Sequence, residues 1–272
     1  MENTTYQNIV FGASGLVGTS IIKFNKHKFI YTSRKKIKNK KIKWMKFALE
    51  TKKIPIKKIN IGIFLSSPRY LKKNLTKKIF NQEFLLLKKV SKMFTFNKFI
   101  YISSSTIYNK KHPIGSTKRK CEAYLNKNSN LFKNLQIWRP YNLIGTNQKT
   151  FSDHFHNYLF KIFFIQQKVK YKFLGNKHDE RGYSDVDEFS KILLFYMKKD
   201  ESFTKNFGNK KSIKLFQILK IYNKEFYKIH NFYFQTEFNS KKPNKSLINK
   251  KSKNTIFSKK NNKLIFQNSG NG

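Results

Sequence analysis

The chain has 272 residues, of which 39% are hydrophobic and 16% aromatic, with 28 Phe and 14 Tyr; that is apolar side chain enough for one well-buried α/β domain plus a smaller appendage, and it excludes wholesale disorder. Lys and Arg number 58 against 14 Asp and Glu, a net charge of +44, a field that attracts polyanions without choosing among them. The single Cys121 excludes an internal disulfide and a cysteine-built metal centre, so a reducing compartment is the default.

In chain order, Asn8-Ile-Val-Phe11 is a short apolar run that ends in glycine, and residues 16–24 place apolar side chains at helical spacing, which predicts strand, turn and helix. Residues 29–32, 42–47 and 59–65 read as three further strands; the last is nearly continuous in apolar residues, as a strand covered on both faces should be. Residues 75–94 predict a long helix with Phe80, Phe84, Leu87 and Val90 on or beside one face, and 99–102 a fifth strand running into serines. Residues 116–125 then predict a helix and 135–139 a sixth strand closed by Pro140. Strands alternating with helices imply a parallel sheet. The expected fold is α/β, a Rossmann-like doubly wound parallel sheet with a smaller C-terminal substrate-binding portion.

Beyond Gly145 the alternation fades, and from Lys241 the chain is rich in Lys, Asn and Ser. The expected organisation is 1–145 as the dinucleotide-binding domain, 146–240 as a mixed substrate-binding portion with returning Rossmann elements, and 241–272 as a basic, loosely ordered tail. The start of the chain shows a glycine-broken strand and turn in place of a signal peptide, and the apolar run 158–166 is too short to span a bilayer, so the expectation is a cytoplasmic protein with no membrane partner. The basic residues run through the whole chain, and Lys, Asn, Ile and Phe, all abundant, have codons rich in A and T. Codon bias therefore accounts for the charge better than a dedicated nucleic-acid site, which stays as the lesser alternative.

The first turn carries chemistry. Gly12-Ala-Ser14-Gly15-Leu16-Val17-Gly18 follows the first strand and opens the first helix. Glycines there permit a tight turn and close approach of backbone N–H groups to a pyrophosphate, while the helix N-terminus adds partial positive charge. After the second strand the chain has Thr32-Ser33-Arg34-Lys35-Lys36 and no acidic residue. A guanidinium pairs bidentately with a 2′-phosphate, so Arg34 favours NADP, with NAD as the other cofactor candidate. Asp185, Asp187 and Glu188 cluster without a partner His or Cys spacing, so they are read as helix-start acids and no metal is expected.

With these motifs placed, the chain resembles the extended short-chain dehydrogenase/reductase family of nucleotide-sugar epimerases, dehydratases and reductases over roughly residues 7–200. The glycine spacing matches. Leu65-Ser66-Ser67-Pro68 stands where the family has its cofactor-contacting segment, and Asn81 where it often has a structural Asn. Phe99-Ile-Tyr-Ile-Ser-Ser104-Ser-Thr-Ile-Tyr108 is similar to the strand ending in the catalytic hydroxyl, which the resemblance assigns to Ser104. Arg139-Pro-Tyr-Asn142-Leu-Ile-Gly145 and Arg181-Gly-Tyr183-Ser-Asp-Val186-Asp187-Glu188 are similar to the stretches whose Asn and Arg hold the nucleotide-sugar, which assigns substrate binding to Asn142 and Arg181.

The family's acid/base Tyr stands four residues before a Lys that holds the nicotinamide ribose and lowers the Tyr pKa. Here Lys118 matches that Lys, but the Tyr position is Ile114, in Pro113-Ile114-Gly115-Ser116-Thr117-Lys118. Isoleucine moves no proton, so either Tyr108 or Tyr183 substitutes, or cofactor and substrate bind without reduction. The resemblance thus implies an NAD(P)-dependent epimerase, dehydratase or reductase acting on a nucleotide-sugar, expected as a homodimer. Lys242-Pro-Asn-Lys-Ser-Leu247 points to the 4-keto-6-deoxy-sugar reductases within it. The alternative is a non-catalytic Rossmann-fold binding protein with a regulatory, assembly or RNA-binding role.

Overall fold

The computed structural model describes residues 7–52 except 38 and 40, then 58–67, 77–145, 159, 170–173, 176–231, 233, 235–238 and 254–259. The chain divides into two compact units, the first comprising 1–140 and 186–207 and the second 141–185 and 208–272.

In the first unit the elements are β1 (Gln7–Phe11), α1 (Leu16–Phe24), β2 (Phe29–Ser33), β3 (Lys43–Lys46), β4 (Lys58–Phe64), α2 (Lys77–Met93), β5 (Thr95–Ile102), α3 (Pro113–Lys127) and β6 (Phe132–Pro140). Helix Val186–Tyr196 and strand Phe203–Asn209, as far as Phe207, then return to it. Strand 203–209 lies beside β6, followed by β5, β4, β1, β2 and β3, and every one of these pairings is parallel. This is the expected doubly wound sheet. Strand order reverses between β1 and β4, and at such a point the chain ends of the two strands splay helices to opposite faces and leave a crevice.

The apolar runs form strands because both faces are covered. Ile9, Val10 and Phe11 are fully buried, as are Ile63 and Phe64. Helices α2 and α3 cover one face over an aromatic cluster in which the rings of Phe96 and Phe99 lie 4.8 Å apart and those of Phe99 and Phe132 stack at 4.9 Å. Each such ring contributes roughly 1.5–3 kcal/mol on burial. Trp138 packs edge-on against Phe189 and Phe203. Helix 186–196 lies along α1, where Asp187 accepts from Ser20 Oγ at 2.6 Å and from Lys23 Nζ at 2.8 Å. Asp187 and Glu188 occupy the first turn of that helix, where negative charge meets the positive end of the helix dipole.

The second unit has its own core, Ile144, Leu159, Tyr183, Ile213, Leu215, Ile218, Leu219, Tyr222 and Phe226. Helix Leu215–His230 supplies most of it and ends at Asn231 in the left-handed conformation, φ 56°. Strand Leu143–Ile144 pairs parallel with Ser184–Asp185, and Ile213–Lys214 pairs antiparallel with Glu180–Arg181. The sequence showed little of this regularity beyond Gly145, because strands of two residues carry no readable period. The tail from 241 lies outside the described residues apart from 254–259, where Thr255–Ser258 is a strand; the run 242–247 lies outside them altogether. Among the described residues, no helix is long and apolar enough to cross a membrane.

Candidate functional site

Gly12 stands at the carboxyl end of β1 with φ +84°, a conformation that L side chains rarely adopt. Its N–H and that of Ala13 both donate to Thr32 O, at 3.1 and 2.8 Å, which turns the chain sharply toward α1. A Cβ on Gly12 would lie 2.5 Å from Ser66 Oγ and 2.7 Å from the Ser66 backbone, so the segment after β4 closes directly on the turn. Leu65 N–H donates to Phe11 O at 2.8 Å and fixes that segment.

The other two glycines differ in kind. A Cβ on Gly18 would come within 2.3 Å of Ala13 O, so Gly18 is required for α1 to back onto the turn. Among the described residues, a Cβ on Gly15 would meet nothing nearer than Gly12 O at 3.9 Å. Gly15 caps α1 in extended conformation and offers no side-chain bond to the N–H groups of the first turn. Ser14 and Gly15 are exposed, Leu16 and Val17 half-buried. Among the described residues, packing therefore leaves Gly15 unobstructed at a helix N-terminus, a cradle that a Cβ would fill and that suits a pyrophosphate. Arg34 is exposed one residue beyond β2, on the same carboxyl edge of the parallel sheet.

Ser104 lies just past β5 and caps the short 3-10 helix Ser105–Tyr108, its Oγ accepting from Thr106 N at 3.2 Å. Among the described residues no acceptor takes its hydroxyl hydrogen. The loop 109–112 then leads straight into α3, and Arg119 holds it by donating to Ile107 O at 2.6 Å, Lys110 O at 2.9 Å and Asn109 O at 3.1 Å. This tight return is why Gly115 is glycine: a Cβ there would lie 2.2 Å from Thr106 O. Ile114 sits half-buried in the first turn of α3, four residues before Lys118 and so on the same helix face.

Lys118 is buried. Its Nζ donates to Glu83 Oε1 at 2.7 Å and to Ile102 O at 2.9 Å, with the Tyr101 ring centroid 5.1 Å away. Glu83 also accepts from Tyr101 OH at 2.8 Å on Oε1 and from Ser67 Oγ at 2.9 Å on Oε2. Burial, reinforced by the Glu83 carboxylate, holds the Tyr101 phenol well above its ordinary pKa, so it remains a donor. The same two causes push the Cys121 thiol up to about 12 and leave it without thiolate character. Asn81, the residue that the resemblance singled out on α2, is exposed; Glu83 is the α2 residue that reaches Lys118.

A second chain of contacts runs along the carboxyl edge. Ser103 Oγ donates to Glu122 at 2.5 Å, and Glu122 receives the Arg139 guanidinium in a bidentate pair at 2.6 and 3.1 Å. Arg139 Nη1 donates to Tyr108 OH at 3.2 Å, and that hydroxyl donates to Asn206 Oδ1 at 2.7 Å. Tyr108 is 40% exposed. Glu83, Glu122 and Asn206 were not read from the sequence as site residues. The available signal for Glu83 was a carboxylate on the apolar face of the predicted helix, at helical spacing from Leu87, where an acid must find a partner.

In the second unit, Asn142 Nδ2 donates to Gly182 O at 2.8 Å, and Ser184 N donates back to Asn142 O at 3.0 Å. Arg181, half-buried on its short strand, neighbours Tyr183, whose phenol burial raises to about 12 against the opposing effect of that guanidinium. The 181–184 segment thus brings together the two residues assigned to substrate.

No protein-family model and no curated protein matches the sequence. Solved structures match its fold. MoeE5 in complex with UDP-glucose and NAD is similar with a TM-score of 0.75 at 12% identity, covering 97% of each chain. UDP-glucuronic acid 4-epimerase from Bacillus cereus, in complex with NAD, gives 0.71 at 16% identity over 96% of each chain. UDP-N-acetylglucosamine 4-epimerase from Methanobrevibacter ruminantium M1, in complex with UDP-N-acetylmuramic acid, gives 0.69 at 14% over 96% of this chain and 92% of that one. The chain has the Rossmann-like fold of these proteins.

Proposed function

We propose that the protein binds a nicotinamide dinucleotide on the Gly12–Gly18 turn and acts on a nucleotide-linked sugar, as an epimerase, dehydratase or reductase in the cytoplasm. The observation that carries this reading is the contrast between Gly15 and its two neighbours: Gly12 and Gly18 are glycines because protein atoms crowd them, whereas among the described residues nothing comes nearer than 3.9 Å to a Cβ on Gly15, at a helix N-terminus. A ligand backbone of linked phosphates accounts for that space. The fold shared with proteins whose structures hold NAD and UDP-sugars supports the same reading. When bound, the dinucleotide would supply a hydride acceptor or donor. Gly12, Ser14, Gly15, Leu16, Val17 and Gly18 would line its pyrophosphate, with Leu65 and Ser66 as the facing wall, and Arg34 would favour NADP over NAD. Ser104 would hydrogen-bond the reacting oxygen, and Asn142 and Arg181 would hold the diphosphate of the sugar nucleotide.

Ile114 leaves the proton to another group. Of the two tyrosines that could serve, Tyr183 is buried with its phenol pushed up to about 12, whereas Tyr108 is solvent-accessible and its hydroxyl sits in a hydrogen-bonded chain between the Arg139 guanidinium and Asn206 Oδ1, a path for a proton. Tyr108 is therefore the assigned proton group. Ile114 equally favours a second reading, a non-catalytic dinucleotide-binding protein on this fold. Conversion of UDP-sugars in the presence of NADP or NAD separates the two: the enzyme reading requires turnover that Tyr108→Phe removes, and its absence with intact cofactor binding favours the binding protein.

A further inference from the structure

Glu83 is 1% exposed on α2, between a loop, a strand and a helix that all need it. Its two oxygens take hydrogens from Ser67 after β4, Tyr101 on β5 and Lys118 on α3. An ammonium has three donors, and Lys118 places one on Glu83 and one on Ile102 O while the Tyr101 ring lies beside it. The lysine charge is thus compensated inside the protein. A buried ion of this kind persists only with its partner in place. At the other end of the network, Ser67 follows Ser66, whose atoms occupy the space where a Gly12 side chain would be.

We propose that Glu83 is a positioning residue of the dinucleotide site, which keeps Lys118 as its own buried partner, away from the ribose, and fixes through Ser67 the wall that closes on Gly12. The proposal rests on the dinucleotide reading above. It joins two features that are otherwise unrelated. A phenol at position 114 would meet an ammonium whose charge Glu83 already neutralises, so its acidity would gain little. Isoleucine at 114 and glutamate at 83 are two parts of one altered site, in which the glycine turn holds the dinucleotide without help from Lys118.

The test is a cycle of Lys118→Met, Glu83→Gln and the double variant, with Ser67→Ala beside it. Tm and the salt-resistant dissociation constant for NADPH are measured for each. Lys118→Met strands a buried carboxylate and lowers Tm by roughly 10 °C, and adding Glu83→Gln recovers most of that loss. The double variant binds NADPH within about threefold of wild type, because no ligand bond has been removed and the amide oxygen left by Glu83→Gln still accepts from Ser67. Ser67→Ala weakens binding by about threefold to tenfold through the loosened wall. A double variant that regains its Tm but binds more than about tenfold weaker would show Lys118 to be a ribose ligand and overturn the proposal. Additive Tm losses, or unchanged affinity in Ser67→Ala, also overturn it. If Lys118→Met does not fold, a folded double variant still supports the partnership, and an unfolded one contradicts it. Wild-type protein that binds neither NADPH nor NADH at high salt removes the dinucleotide reading itself, and the Tm cycle then reports on the pair alone.

Discussion

Gly18 backs onto Ala13 so closely that a methyl group on it would lie 2.3 Å from the Ala13 carbonyl oxygen, whereas one on Gly15 would lie 3.9 Å from its nearest neighbour, Gly12 O. The two glycines should therefore fail differently. Gly18→Ala must displace backbone and should destabilise the fold by at least about 1–3 kcal/mol in urea unfolding. Gly15→Ala has a permitted φ of −88° and should change stability by less than about 1 kcal/mol, the scale of an N-cap substitution. Its methyl occupies the cradle, so NADPH affinity should fall more than about tenfold. A Gly15→Ala protein that binds as wild type does would show that the turn is not the pyrophosphate site.

Arg34 stands exposed one residue after β2, and the proposed function gives its guanidinium the 2′-phosphate of NADP. A bidentate contact to a 2′-phosphate is a charge-assisted bond of about 1.5–3 kcal/mol. Arg34→Ser should accordingly lower affinity for NADPH about tenfold or more and leave NADH nearly unchanged, as read by competitive fluorescence titration. Equal losses for both nucleotides would identify Arg34 as part of the general basic field, which salt screens.

The proton chemistry separates Tyr108 from position 114. Tyr108→Phe removes the one exposed phenol held by Arg139 and should reduce turnover of a UDP-sugar by about 10²–10⁴-fold with cofactor affinity intact. Ile114→Tyr by itself should add no activity, because Lys118 is engaged by Glu83. Full activity in Tyr108→Phe, or a large gain in Ile114→Tyr, would reverse these roles, and steady-state assays decide between them.

Most of the first unit was legible in the sequence for a physical reason. Parallel strands buried on both faces must be continuous apolar runs, and 8–11, 59–65 and 99–102 are such runs. Strand Phe203–Asn209 was not legible, since Thr204, Lys205, Asn206 and Gly208 interrupt it, yet it extends the sheet beside β6 and carries Asn206 to Tyr108. The glycine turn could be read because its three glycines, the strand before them and the helix after them lie within residues 7–24. The engagement of Lys118 could not, because Glu83 and Lys118 are far apart in the chain and only the packing of α2 against α3 brings them together. Lys118 is one of 58 basic residues, and spacing alone says where it lies on a helix without saying what it holds.

His112 gives a pH dependence of known sign. It caps α3, its Nδ1 accepting from Gly115 N at 3.4 Å. Burial, and then Arg119, hold its pKa below the usual histidine value. The unfolded chain therefore binds the proton more readily than the folded one. The cap's contribution is complete above the unfolded value of about 6.5 and is lost as pH falls through the lower folded value. Between about pH 7.5 and pH 5.5 the Tm of wild type should decline more than that of His112→Asn, which keeps a capping acceptor and does not titrate. Parallel Tm profiles would show the imidazole to be uncoupled from the fold.

The central claim is that a specific dinucleotide site exists beneath a surface that attracts every anion. Titration of the protein with NADPH and with NADH, at physiological and at high salt, tests it most directly through nicotinamide fluorescence, because nonspecific attraction disappears when charges are screened. The account predicts saturable binding that survives high salt and favours NADPH. Binding of both nucleotides that vanishes with salt would contradict it and leave the Rossmann-like sheet without a cofactor.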